Sequence, residues 1–193
     1  MTPKQRDIII YSALGAVLVV GLVVLFFVGP RWLVSAPTEE PDAAVAAASS
    51  NVRKIRARLL YVAEDGVRLS PVEQEVIYGE GTVEQAKRII EAQVAQPQPP
   101  LVSAIPAGTK LKTVFVTAKG EAFVDLTPEL RSNQQGGTTN EILTTYTIVN
   151  ALTLNLPAIT SVQILIDGKE VDTLAGHLDL RRPLEQDERW VSQ

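Results

Sequence analysis

From Arg53 onward, apolar and polar positions alternate: Ile55, Ala57, Leu59 and Tyr61 against Lys54, Arg56, Arg58 and Leu60. A period of two marks a strand with one buried face. Glu64-Asp65-Gly66 supplies turn residues, and Val72 to Tyr78 can return as a second strand. The period then lengthens. Val83, Ala86, Ile90 and Val94 fall on one face of a helix, which Thr82 and Gln85 would open as a capping box. Gln96-Pro97-Gln98-Pro99-Pro100 stops it. Lys110 to Thr117 reads as a strand, Lys119-Gly120 as its turn and Ala122 to Leu126 as its partner. Arg131 to Thr139 is a polar, glycine-containing loop. Asn140 to Leu154 reads as a threonine-rich helix, weak by propensity and dependent on tertiary packing, with Ile142, Tyr146, Val149 and Leu152 near one face. Val162 to Ile166 is almost continuously apolar, as suits the middle of a sheet, and Asp167-Gly168 is a hairpin signal. The order ββ-α-ββ-α-β predicts an α+β domain with one mixed sheet and two helices mainly on one face.

The first part of the chain follows another pattern. Ile8 to Gly29 carries no charge and as a helix would extend about 33 Å, enough for a hydrocarbon core of about 30 Å. A cleaved leader would have a shorter apolar run, and Pro37 follows the one small-residue site, Val34-Ser35-Ala36. The segment is therefore read as an uncleaved transmembrane anchor. Lys4 and Arg6 before it, against Arg31 after it, place the N-terminus in the cytoplasm and the domain outside. Residues 30–52, rich in Pro, Ala, Ser and acidic groups, read as a linker. The expected organisation is a cytoplasmic N-terminus (1–7), a transmembrane helix (8–29), a linker (30–52) and an extracytoplasmic domain (53–193), in a single-pass protein of the cell (inner) membrane.

Composition narrows the chemistry. Net charge is −4 without a basic tail, so nothing suggests nucleic-acid binding. Cysteine is absent and histidine occurs once, as His177, which removes disulfides, thiol nucleophiles and Cys-based metal sites.

Ala104-Ile-Pro-Ala-Gly-Thr-Lys-Leu, followed by Gly120-Glu-Ala-Phe-Val-Asp-Leu-Thr-Pro-Glu-Leu, resembles the GerMN domain family of sporulation and spore germination proteins. The helix at Asn140–Leu156, the strand Val162-Gln-Ile-Leu-Ile-Asp-Gly168, the first strand with Leu60-Tyr61, and Gly176-His177-Leu-Asp-Leu before Pro183-Leu184 fit the same family in order. The resemblance covers about Arg53 to Leu184. It implies an extracytoplasmic α/β module of envelope proteins, related in architecture to ring-building motifs, and no catalysis. Two features depart from the family. Many members are lipoproteins, whereas this chain lacks the lipid-bearing cysteine, and QPQPP stands where a Gly-Pro is expected.

Site candidates are few. Asp125 and Glu129, with Thr127 between them, could form a carboxylate pair, but turn capping is the plainer reading. Pro106, Gly108 and Thr109 could make a recognition loop or simply a turn. His177 with a serine such as Ser103 or Ser161 and an Asp could be imagined as a triad, but no nucleophile elbow accompanies them. Lys54, Arg56 and Arg58 could touch an anionic polymer or form a solvated strand face. No catalytic, cofactor-binding or metal residue is assigned, and no enzyme is expected. The expected function is an interaction module binding envelope proteins or itself, with peptidoglycan or another small ligand or glycan as the alternative and an envelope hydrolase as the remote one. Convergent charges in a cleft would mark an enzyme, an aromatic-lined groove a glycan binder, and a flat apolar or edge-strand surface protein contacts. The strand Lys110–Thr117 is one candidate edge.

Overall fold

The computed structural model describes residues 52–192. The expected cytoplasmic segment, anchor and nearly all of the linker lie outside them. Strands β1 (Lys54–Val62) and β2 (Leu69–Ile77) form an antiparallel hairpin. Helix α1 (Gly81–Val94) follows, then β3 (Leu111–Val116) and β4 (Glu121–Leu126). A short helix α2 (Glu129–Ser132) leads to the long α3 (Thr138–Thr153) and to β5 (Ser161–Ile166). Two-residue strands β6 (Lys169–Glu170) and β7 (Leu184–Glu185) and a 3-10 turn at Glu188–Trp190 complete the chain.

The expectation of one sheet is corrected: there are two. β1 and β2 stand alone, and a second sheet runs β3-β4-β5-β6, with β7 also on β5. β4 and β5 are parallel and the other pairs antiparallel, so the larger sheet is mixed, as anticipated. The separation has a physical cause. Leu60 pairs with Pro71, which has no N–H, so even-numbered β1 residues turn their backbone groups away from β2. Those groups are already used. The Gln93 side-chain amide accepts from Leu60 N–H and donates to Leu60 C=O, both at 2.8 Å. The Asn155 amide does the same for Arg58, also at 2.8 Å. Val62 N–H donates to the Val102 carbonyl. Two side-chain amides and one loop carbonyl thus take the place of a neighbouring strand.

Val114, Val124 and Ile164 lie in register on one face of the larger sheet and are buried. They join Ala57, Leu59 and Tyr61 of β1 and Ile89 and Ile90 of α1 in the main core. Both long helices touch the larger sheet and the hairpin. That sandwiching explains α3, which buries 11 of its 16 residues rather than one stripe. It also explains Leu60, which the alternation assigned to the polar face. Leu60 is fully buried and packs with Leu69 and Leu143 in a second small cluster.

The threonines of α3 meet different fates. Thr144 donates to the Ala104 carbonyl at 2.7 Å and Thr153 to Val149. The Thr145 and Thr147 hydroxyls are buried without a partner among the described residues. A buried hydroxyl without a hydrogen bond costs about 1–3 kcal/mol. Thr145→Val, nearly the same shape, should therefore raise stability by about 1 kcal/mol, read as a later denaturant midpoint with an unchanged slope.

The start of α1 differs from the expected capping box. The helix begins at Gly81 with Glu80 as N-cap and no side-chain cap bond. Gln85 reaches further back, accepting from Gly79 N–H at 2.9 Å. Gly79 lies so close to the first turn that a Cβ there would sit 2.5 Å from the Glu84 backbone, and Thr82, one residue past the helix start, falls inside the first turn and not at its cap.

Candidate interaction surface

The carboxylates and hydroxyls that could have formed a site serve the fold instead. Asp125 is buried, and its Oδ1 accepts from Gly168 N–H at 2.7 Å. That bond holds the β5–β6 turn, where Asp167 and Gly168 both adopt positive φ (51° and 73°) as the Asp-Gly pair predicts. Thr127 Oγ1 accepts from Lys110 N–H, and Thr127 N–H donates to the Lys110 carbonyl, so Thr127 closes the end of the β3–β4 pair. Glu129 starts α2. Among the described residues, no group of three acidic or histidine side chains comes together as a metal site would require.

Pro106 and Thr109 form a turn in which the Pro106 carbonyl receives both Thr109 N–H and Oγ1–H. Asn133 ties it to α2 by donating to the Ala107 carbonyl at 2.9 Å. The imagined triad is not assembled. Ser103 accepts from Ile105 N–H beside a cleft formed with α3, whereas His177 lines a separate hollow with Asp172, Asp179 and Arg181. Ser161 opens β5, opposite Glu121 and Glu185. The basic stripe is engaged within the domain: Lys54 pairs with Glu75 at 2.9 Å, Arg56 approaches Glu73 at 3.8 Å, and Arg58 donates to the Leu154 carbonyl.

The cleft beside Ser103 has a volume of about 450 Å³. Side-chain amides of Gln96, Asn133, Gln134, Gln135 and Asn140 line it, with no charged and no aromatic residue. It has neither the converging charges of an active site nor the stacking rings of a typical sugar site.

The surface that stands out is the β3 border of the larger sheet. The other borders are occupied or guarded. β1 is sealed by Gln93 and Asn155. β2 presents Pro71, Glu73 and Glu75 outward, residues that discourage strand addition, and its Leu69 carbonyl is taken by Ser192. β5 is covered by β6 at one end and β7 at the other. β3 ends the sheet, and no further strand pairs with it among the described residues. Thr117 N–H donates to Glu121, and bonded pairs alternate in an antiparallel ladder. Phe115 therefore faces β4 with its backbone groups, while Val114 and Val116 turn theirs outward, without partners among the described residues. Lys112, the one charge in the strand, is drawn back to Asp167 at 2.9 Å, and this ion pair holds its pKa above the ordinary lysine value.

Beside this border lies an aromatic pair. Phe115 and Phe123, the only phenylalanines among the described residues, are cross-strand partners. They sit on the face opposite the helices. Phe115 is 60% exposed, the most exposed large apolar residue described. The pair belongs to neither core cluster, and aromatic residues are enriched where proteins meet. The sequence signalled this surface through the run Thr113-Val-Phe-Val, whose apolar residues occupy both faces of the strand.

The fold is thus a mixed α+β domain with one unguarded sheet edge and no assembled catalytic group among the described residues. Residues 58–172, more than half the chain, match the family described as Germane: Sporulation and spore germination, and the chain belongs to it. A Clostridium perfringens protein described as a "Putative Lipoprotein" is similar in structure, with TM-score 0.50 and 23% identity over 72% of this chain and 91% of that one. The tandem GerMN domains of the sporulation protein GerM from Bacillus subtilis give TM-score 0.54 at 19% identity, covering 70% of this chain and 46% of that one. The first GerMN domain alone gives 0.50 at 19%, covering 69% and 96%. This chain thus spans about half the tandem pair and nearly all of the single domain. At such identities the likeness is one of fold. No curated protein matches the chain.

Proposed function

We propose that this protein is a non-enzymatic interaction module of the cell envelope, held at the outer side of the membrane by its N-terminal helix and binding other proteins through the β3 border. The observation that carries the reading is the contrast between borders: three are sealed or guarded, and the fourth offers free backbone groups beside an exposed Phe115. An added strand would gain affinity from main-chain hydrogen bonds and selectivity from the phenylalanine pair. The linker and anchor would raise the local concentration of the domain near its partner. The family, sporulation and spore germination, and the fold shared with the protein described as a "Putative Lipoprotein" agree with an envelope setting.

The test is photocrosslinking in cells with a photoreactive residue at position 115, compared with position 73 on the guarded hairpin. A discrete adduct from position 115 and none from position 73 supports the reading. Equal labelling, or an adduct from position 73 alone, removes it. The same strain reports topology, since a reporter fused after Gln193 should be active only outside the cytoplasm.

A further inference from the structure

The β3 border is self-complementary, and we infer that its occupant is a second copy of this chain, the two β3 strands pairing antiparallel about a two-fold axis at Phe115. This rests on the interaction reading above and names the partner. The outward backbone groups are those of Val114 and Val116. With the axis at Phe115, Val114 of one copy stands opposite Val116 of the other, and the reverse. Each of the two N–H groups then meets a carbonyl, and each carbonyl an N–H, so four hydrogen bonds satisfy every free group. An axis at Val114 would leave Val116 opposite Lys112, where the β3–β4 register is irregular.

The side chains favour the same register. The two Phe115 residues become a directly opposed, non-hydrogen-bonded pair, the arrangement that brings Cβ atoms closest, about 4.5–5.5 Å. Phe123 is already the cross-strand partner of Phe115. Joining the edges therefore makes an unbroken row of four phenylalanine rings across four strands, covering the most exposed apolar group. Charge raises no objection. Lys112 falls toward Ala118 of the second copy, and its ammonium remains with Asp167. The contact is isologous, as two-fold dimers require, and it closes: once both edges are used, no free β3 edge remains.

Cysteine cross-linking reads the register directly, because the chain has no cysteine of its own. In membranes containing the full chain, Phe115→Cys should give a disulfide dimer on mild oxidation. Thr113→Cys alone should not, since its opposite number is Thr117, but Thr113→Cys combined with Thr117→Cys should. Equal cross-linking of Thr113→Cys and Phe115→Cys would overturn the register. In parallel, the full-length chain in detergent should show a concentration-dependent dimer by sedimentation, weakened at least tenfold by Phe115→Asp, a change at an exposed position that leaves the core intact. A monomer at all concentrations with no Phe115→Cys dimer overturns self-pairing. If the in-cell adduct at position 115 then has the mass of this chain plus a different protein, the interaction reading stands and only its partner changes; an adduct of two copies supports the pairing.

Discussion

Glu141→Ala will destabilise the domain by about 3–5 kcal/mol, the low end of what three hydrogen bonds to a charged acceptor supply at about 1.5–3 kcal/mol each. Glu141 lies in the first turn of α3 and is fully buried. Its Oε1 accepts from the Thr173 hydroxyl and from Leu174 N–H at 2.8 Å, and its Oε2 accepts from His177 N–H at 2.8 Å. One carboxylate thus organises the turn Thr173–His177, and the Thr173 hydroxyl oxygen in turn accepts from Gly176 N–H. Burial pushes its pKa up, but the Thr173 hydroxyl and the backbone N–H groups of Ala175, His177 and Leu174 together outweigh it, and the net shift is downward. The folded pKa is below the unfolded one, so this stabilisation is complete above about pH 4.3 and is lost as pH falls through the folded pKa. Denaturant melts at pH 7 should show the full deficit for Glu141→Ala. The deficit should shrink as the pH drops below about 4. Glu141→Gln keeps the shape but turns an N–H₂ toward N–H donors, so it should lose about half as much. If the glutamine variant matches wild type at pH 7, the charge is not what holds this turn.

Much of the fold was legible in the sequence because it rests on local signals. The alternation at Ile55–Tyr61 and the turn at Glu64-Asp65-Gly66 produced the first hairpin, and Asp167-Gly168 turned where expected. The end of β1 was not legible. Leu60 sits at a polar parity, and its burial depends on Leu143, far along the chain. The division into two sheets depends on Gln93 and Asn155, ordinary polar residues whose role arises only when helix and loop bring them to β1. α2 was hidden because four residues give no period, and β6 and β7 because two residues give no alternation. α3 starts two residues before the expected Asn140. As for the surface, Lys110–Thr117 was visible as a strand and one candidate edge. That it is the unguarded one follows from what covers the other three.

The sharpest test of the packing between hairpin turn and sheet compares two glycines. Gly120 closes the β3–β4 turn at φ 84°, with its N–H bonded to the Thr117 carbonyl. Its own carbonyl receives Thr160 N–H at 2.8 Å. That docking brings β5 alongside β4, and it presses the chain so close that a Cβ would lie 2.6 Å from the Ala158 carbonyl oxygen. Gly66, at the tip of the β1–β2 hairpin, has a similar φ of 68° but open space where a Cβ would go. Alanine at a left-handed position costs about 1–2 kcal/mol whatever surrounds it. Gly66→Ala should therefore lose about that amount. Gly120→Ala must in addition push Ala158 away and lengthen the Thr160 bond, for a total of about 3–4 kcal/mol. The difference between the two, measured by denaturant unfolding, isolates the cost of the close approach. Equal losses would mean that the 157–160 turn yields freely and that the register of β5 is set by its ladder with β4. A larger loss at Gly120 means that this turn helps to fix where β5 lies, and through the Asp125–Gly168 bond, how the sheet ends.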